Sequence, residues 1–147
     1  MILNDAQKMV QDMLRDYSQA KLKPTAAERD KTARFPAQEL EELGALGALG
    51  MTVSEEWGGS GMDYVSLVLA LEEIAAGDGA ISTIVSVQNS LPCGITQRYG
   101  TAEQKKKYLT KLATGEMLGC FCLTEPQAGS DASALECQAV RDGDEWV

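Results

Sequence analysis

The chain contains no histidine. Its four cysteines, Cys93, Cys120, Cys122 and Cys137, therefore lack the partner that completes mixed zinc sites, and their spacing matches no metal motif. Cys120 and Cys122 are two apart, which puts them on one face of a strand, and all four read as reduced structural thiols. Basic residues are scarce, 13 against 22 acidic, and a net charge of -9 argues against a nucleic-acid or anionic-membrane surface. A local pocket for an anionic ligand stays compatible with that charge. No apolar run reaches the roughly 18 residues that a membrane-spanning helix needs. The opening segment lacks the basic, apolar and small-residue order of a signal peptide, and Asp5, Asp12, Asp16 and Glu28 disfavour a transit peptide, which leaves the cytoplasm as the default.

What is present is ordinary for a globular protein: 147 residues with a 44% hydrophobic share, enough for one domain or slightly more. Leu3, Ala6, Val10, Met13, Leu14 and Tyr17 recur at spacings of three and four, so residues 3 to 18 form an amphipathic helix. Residues 21 to 34 are charged and interrupted by Pro24. They read as a solvated linker with a short helical turn, carrying Arg29, Asp30, Lys31 and Arg34. Pro36 suits a first helical position, Leu40, Leu43 and Leu46 mark the inner side of the next helix, and glycines 44, 47 and 50 end it. The stretch Glu55-Glu56-Trp57-Gly58-Gly59-Ser60-Gly61 is too rich in small residues for regular structure, and its paired carboxylates read as solvated rather than catalytic.

Asp63 caps a third helix, deeply buried, with Leu67, Leu71, Ile74 and Ala75 on one stripe. Residues 80 to 99 form an apolar helix that also carries Ser82, Thr83, Ser86, Gln88, Asn89 and Ser90. Those polar groups either bond back to their own helix or form the wall of a ligand cavity. Pro92 bends or divides this helix, because it removes an internal hydrogen bond and clashes with the preceding turn. Thr101-Ala102-Glu103-Gln104 is a capping box, the helix after it turns Tyr108, Leu109 and Leu112 inward, and Gly115 closes it. Lys105, Lys106 and Lys107 read as a wet face.

From residue 119 the hydrophobic period changes from 3.6 to 2. Residues 119 to 124 read as a buried strand, and Glu125-Pro126 stops it. Gly129 then permits a conformation closed to other residues, and Ser130 and Asp131 suit bonds to neighbouring amides. A strand that ends in a hydroxyl and a small-residue loop can face a flat polar ring and then a phosphate. The same shape also serves in proteins that bind nothing. Leu135, Cys137 and Ala139 alternate with polar neighbours, and Asp142-Gly143 is a hairpin turn into Glu145-Trp146-Val147. The chain stops inside that strand, so it is expected to be a piece of a longer protein whose sheet is completed elsewhere.

Leu123-Thr124-Glu125-Pro126, then Ala128-Gly129-Ser130-Asp131, closely resembles a signature of the acyl-CoA dehydrogenase family, flavoproteins that oxidise fatty acyl-CoA thioesters. The glycine-rich stretch at 55 to 61, and Asn89-Ser90-Leu91 leading to Arg98-Tyr99-Gly100-Thr101, agree with it in order and spacing. The resemblance implies a truncated α+β form of the family fold: an all-helical N-terminal domain over 1–118 and the opening of a middle β domain over 119–147. It implies FAD along residues 121 to 130, with Phe121, Leu123 and Thr124 beside the isoalloxazine and Thr124 bonding its polar edge. Cys122 and Gly129 belong to the same cofactor-binding stretch, and Ser130 meets the pyrophosphate and borders the bound acyl-CoA.

The implied activity is α,β-dehydrogenation of the thioester in β-oxidation. Electrons leave to an electron-transferring flavoprotein, and the assembly is a homodimer or homotetramer. The family's catalytic base lies in a C-terminal domain beyond this chain, so no catalytic residue is assigned, and Glu125 is not one. Gln127 stands where the family commonly has glycine. The Asn89-Ser90-Leu91 region looks most like short-chain members. An acyl-CoA oxidase or related flavin monooxygenase on the same fold, or a non-catalytic helical interaction module, are the alternatives.

Overall fold

A computed structural model describes residues 2–147. The first helix, α1 (Asp5–Tyr17), opens with a reciprocal cap: Asn4 Oδ1 accepts from Gln7 N at 2.8 Å and Gln7 Oε1 accepts from Asn4 N at 3.1 Å. Its apolar stripe buries Val10 and Leu14. The expected linker after it is not a linker. The chain continues through a wide π-type turn (Ser18–Leu22) and a tight 3-10 turn (Lys23–Thr25) into α2 (Ala26–Thr32). Pro24 is tolerated because it sits at the start of the tight turn, where its missing N–H breaks no bond. Leu22 and Arg29, both buried, hold this segment to the body of the protein.

Helix α3 (Ala37–Ala45) starts one residue after Pro36 and buries Leu40 and Leu43. Helix α4 (Tyr64–Gly77) is capped by Asp63, whose carboxylate accepts from Ser66 N at 2.7 Å. It buries Leu67, Leu69, Ala70 and Ile74 while Val68 and Ala75 face outward, so the burial of this helix is one-sided rather than complete. Helix α5 (Gly79–Gln88) is capped by Asp78 and runs into a π-type turn (Asn89–Cys93) that contains Pro92, then into α6 (Gly94–Tyr99). The wider turn is how the helix absorbs the N–H that proline lacks. The last helical run is α7 (Ala102–Gln104), a π-type turn (Lys105–Leu109) and α8 (Thr110–Thr114). Its start is the predicted capping box and its end is Gly115, at φ 80°.

Two apolar clusters result. The larger joins α1, α3, α4 and α5 through Val10, Leu14, Leu40, Leu43, Ile74 and Val85; the smaller gathers Val53, Cys93, Leu109, Leu112 and Ala113. At the interhelix corner, Arg29 lies 5% exposed and makes two bonds to Asp78 Oδ2, at 3.0 and 2.7 Å, one to Glu39 at 3.0 Å and one to Leu22 O at 2.8 Å. Arg34, across from it, bonds Glu39 at 2.5 Å and is the main reason that the Glu39 carboxyl is held below its ordinary range.

Beyond residue 118 regular structure thins out. The strands are β1 (Arg141–Asp142) and β2 (Glu145–Trp146), antiparallel, with Arg141 opposite Trp146 and Asp142 opposite Glu145. Their loop is Gly143-Asp144, one residue later than expected, because Gly143 at φ 60° takes the first loop position of a II′-type turn. Residues 119 to 124 and 135 to 139 form no strand and are largely exposed, contrary to the expectation of buried strands. Alternation of apolar residues marks a strand only where a neighbouring strand supplies the ladder, and no other segment among the described residues pairs with these. No helix among the described residues is long and apolar enough to cross a membrane.

Candidate functional site

The stretch that carries the predicted cofactor residues hangs from the helical body at Gly119. Its N–H donates to Gln88 Oε1 at 2.9 Å, and its backbone lies so close to Pro92 that a Cβ would meet that ring at 2.5 Å. From there residues 120 to 124 make no main-chain hydrogen bond to any other described residue. Phe121 is 48% and Leu123 39% exposed, although both are large and apolar. The Thr124 and Ser130 hydroxyls are exposed and bond to no protein group among the described residues. Cys120 and Cys122 project together, their sulfurs 3.7 Å apart. They and Cys137 are exposed, so only Cys93 fits the expectation of a buried structural thiol.

A tight turn follows. Glu125 and Ala128 exchange main-chain bonds of 3.0 and 3.1 Å around Pro126-Gln127, and Ala128 is buried. The Glu125 carboxylate accepts from Glu136 N at 2.9 Å, Cys137 N at 3.0 Å and the Gln127 amide at 2.6 Å. Those backbone amides, Glu136 first, hold its pKa below the ordinary value. Both oxygens are thus spoken for, which makes Glu125 a tie between the turn and residues 136 to 137. Asp131 caps a short 3-10 turn (Ala132–Ala134) through Ser133 N at 3.1 Å. Gly129 does not occupy the left-handed region, contrary to expectation, and a Cβ there would meet nothing within 4 Å. Its bare backbone faces open space next to Ser130.

The polar side chains of residues 80 to 99 that bond within the protein divide three ways. Thr83 and Ser90 bond back to the carbonyls of Gly79 and Ser86, at 3.0 and 2.7 Å. Ser82 reaches the carbonyl of Leu71 on α4 at 2.9 Å. Gln88, Asn89 and Gln97 do something sequence reasoning missed, which is to staple loops. The Gln88 amide donates to Leu112 O at 2.8 Å and Met117 O at 3.1 Å. Asn89 donates to Ala48 O at 2.8 Å and Val85 O at 2.9 Å and accepts from Met51 N at 2.7 Å. Gln97 accepts from Ser54 N at 2.9 Å and donates to Thr52 O at 3.3 Å. Adjacent carboxamides on an apolar helix were the visible signal, since a buried amide needs partners.

Glu55 and Glu56 are exposed on a 3-10 turn (Glu55–Trp57), as expected of solvated carboxylates. A cavity of 530 Å³ opens beside them, lined by Thr52, Ser54, Glu55, Trp57, Met62 and Gln97 among others. A larger one, 660 Å³, lies between Ala33, Phe35, Pro36, Ala80 and Ile84 and includes none of the residues from 119 onward. The chemistry available at 119 to 131 is therefore recognition: an apolar and hydroxyl-bearing surface with free main-chain donors, and no group poised for proton transfer.

Comparison with known proteins bears on what that surface meets. Residues 4–116 match the family model for the N-terminal domain of acyl-CoA dehydrogenases. The mitochondrial short-chain specific acyl-CoA dehydrogenase of Bos taurus is 41% identical over 145 residues, covering 99% of this chain and 35% of the relative. Butyryl-CoA dehydrogenase from Megasphaera elsdenii superposes with a TM-score of 0.92 at 37% identity, over 98% of this chain and 38% of that one. A glutaryl-CoA dehydrogenase from Mycobacterium smegmatis, solved in complex with FADH2, gives a TM-score of 0.92 at 38% identity, over 98% of this chain and 37% of that one. The chain spans little more than a third of the length of these relatives. With a family match across most of its helices and an identity that continues through the residues after them, the chain belongs to the acyl-CoA dehydrogenase family.

Proposed function

We propose that the chain is the helical N-terminal domain, residues 1–118, and the first flavin-facing segment, within residues 119–147, of an FAD-dependent acyl-CoA dehydrogenase acting on short acyl-CoA thioesters. The observation that carries this reading is the identity to acyl-CoA dehydrogenases, which runs on through residues 119 to 131, where Phe121 and Leu123 are exposed and the hydroxyls of Thr124 and Ser130 bond to no described residue. When bound, FAD supplies the two-electron acceptor that α,β-dehydrogenation requires. Phe121 and Leu123 provide apolar cover that keeps water from the flat ring, with Cys122 between them on the same backbone. Thr124 supplies a hydrogen bond at its polar edge, and the unbonded amides of the segment are donors already in place. Gly129 leaves room for a close approach and Ser130 a hydroxyl for a phosphate and for the border of the acyl-CoA.

No residue of this chain is assigned as base, because Glu125 is committed to backbone amides and Glu55 and Glu56 are solvated. The reading extends to β-oxidation, to homodimeric or homotetrameric assembly, and to an electron-transferring flavoprotein as the acceptor of the electrons.

The test uses a polypeptide that carries this chain together with the rest of the fold. Its visible spectrum is taken anaerobically before and after adding butyryl-CoA. Bleaching of the oxidised flavin bands is expected, with Thr124→Val weakening flavin binding or slowing the bleaching. Peroxide formed in air in place of transfer to an acceptor would identify an oxidase. A soluble protein that takes up no FAD would sink the proposal and leave an interaction module.

A further inference from the structure

We infer that Gln88 is a positioning residue for the flavin-facing segment, an inference that rests on the flavin reading above. The side chain is 1% exposed, inside the apolar body, yet all three of its hydrogen bonds go to one stretch of chain. It donates to the last turn of α8 at Leu112 O and to Met117 O, and it accepts from Gly119 N, the last anchored amide before the free segment. One turn further along, the Pro92 ring lies against Gly119, with no room for a Cβ. The amide and the ring together fix where the segment leaves the helical body. Gly119 is the last anchor before residues 120 to 124, none of which has a main-chain bond among the described residues, so a shift there moves the start of the segment.

Asn89 provides the internal comparison. It is equally buried, also makes three hydrogen bonds, and sits on the next residue, but its bonds go to Ala48, Val85 and Met51, which lead nowhere near residue 119 in the chain. A role limited to stability would make the two amides interchangeable. A positioning role makes them different: loss of Gln88 displaces the surface that meets the flavin, and loss of Asn89 does not.

The experiment compares Gln88→Met and Asn89→Leu in the FAD-binding polypeptide. It reads the FAD dissociation constant, the fine structure of the flavin absorption band and the melting midpoint. Both variants are expected to melt lower. Only Gln88→Met is expected to raise the FAD dissociation constant, by about tenfold, and to blur the flavin band, the size that losing the alignment of one or two hydrogen bonds gives. Gly119→Ala tests the same point from the other side: with Gln88 intact, the added methyl must push the segment off Pro92 and weaken FAD by a comparable factor. This variant keeps the inference open to test should Gln88→Met fail to fold. Equal weakening of FAD by the two amide variants in proportion to lost stability, or unchanged binding in Gln88→Met and Gly119→Ala, would overturn it. A wild-type protein without FAD would instead refute the flavin reading itself.

Discussion

Asp78→Ser removes the carboxylate that Arg29 holds while keeping a hydroxyl able to cap α5. In the folded protein Asp78 has two jobs: Oδ2 takes two bonds from the guanidinium, and Oδ1 accepts from Ala80 N and Ile81 N at 3.0 and 3.1 Å. Breaking a buried ion pair by removing one partner costs about 3–5 kcal/mol, because the remaining charge stays in a poor solvent. Glu39 and the Leu22 carbonyl still solvate Arg29, so the loss belongs at the low end, about 3 kcal/mol. Asp78→Ala loses the cap as well, another ~1 kcal/mol. Against a total stability of about 5–15 kcal/mol, these are large changes. Urea denaturation followed by circular dichroism reads them, and Arg29→Met completes a cycle. The double variant Arg29→Met/Asp78→Ser should lie within about 1 kcal/mol of the worse single, because the two residues share one interaction. Salt at 1 M should leave the Asp78 effect intact, unlike that of the exposed pair of Arg15 and Asp12, which is worth about 0.5 kcal/mol at most. An Asp78→Ser protein within about 0.5 kcal/mol of the parent, or strict additivity in the cycle, would refute the view of this corner as a buried network.

Two substitutions separate a glycine required by packing from one required by nothing in this chain. Gly59→Ala places a methyl 2.2 Å from the Val53 carbonyl oxygen and should destabilise by about 1–3 kcal/mol in thermal melting, whereas Gly129→Ala meets open space and should change stability by less than about 0.5 kcal/mol. Equal melting points for these two variants would show that the packing at Gly59 has been misread. Thiol titration of the native chain should count three reactive cysteines at once and the fourth only on unfolding, since burial pushes the Cys93 thiol up to about 12. Four fast thiols would mean that the smaller apolar cluster opens readily.

The helical part was legible because its signals are local. Thr101 with Gln104 caps within one turn of itself, and Asp63 needs only Ser66, whereas the equally local cap of Asn4 with Gln7 lay inside the helix expected from residue 3. Residues 21 to 34 were misread because composition alone governs the expectation there. Seven charges in fourteen residues look solvated until the partners are known, and the partners of Arg29, Glu39 and Asp78, lie ten and 49 residues away. The same distance in sequence hides Gln88 and Asn89, whose bonds span up to 41 residues. A carboxamide on an apolar helix announces that something must be bonded. It does not say what.

The strands fail for a different reason, and the failure bears on the site. A helix closes its hydrogen bonds on itself, so its sequence can specify it alone; a strand's donors and acceptors point sideways, to a neighbour. The hairpin of β1 and β2 forms because the residues that pair are three and five apart and Gly143 sets the turn. Residues 120 to 124 have the letters of a strand and no neighbour, so their amides, carbonyls and apolar side chains stay open. What the alternating pattern recorded was therefore a demand for partners. In the reading proposed above, a flat, polar-rimmed ligand on the face of Phe121, Leu123 and Thr124 would meet part of that demand. Exposure alone does not separate a strand partner from a ligand; the effect of Thr124→Val on flavin binding does.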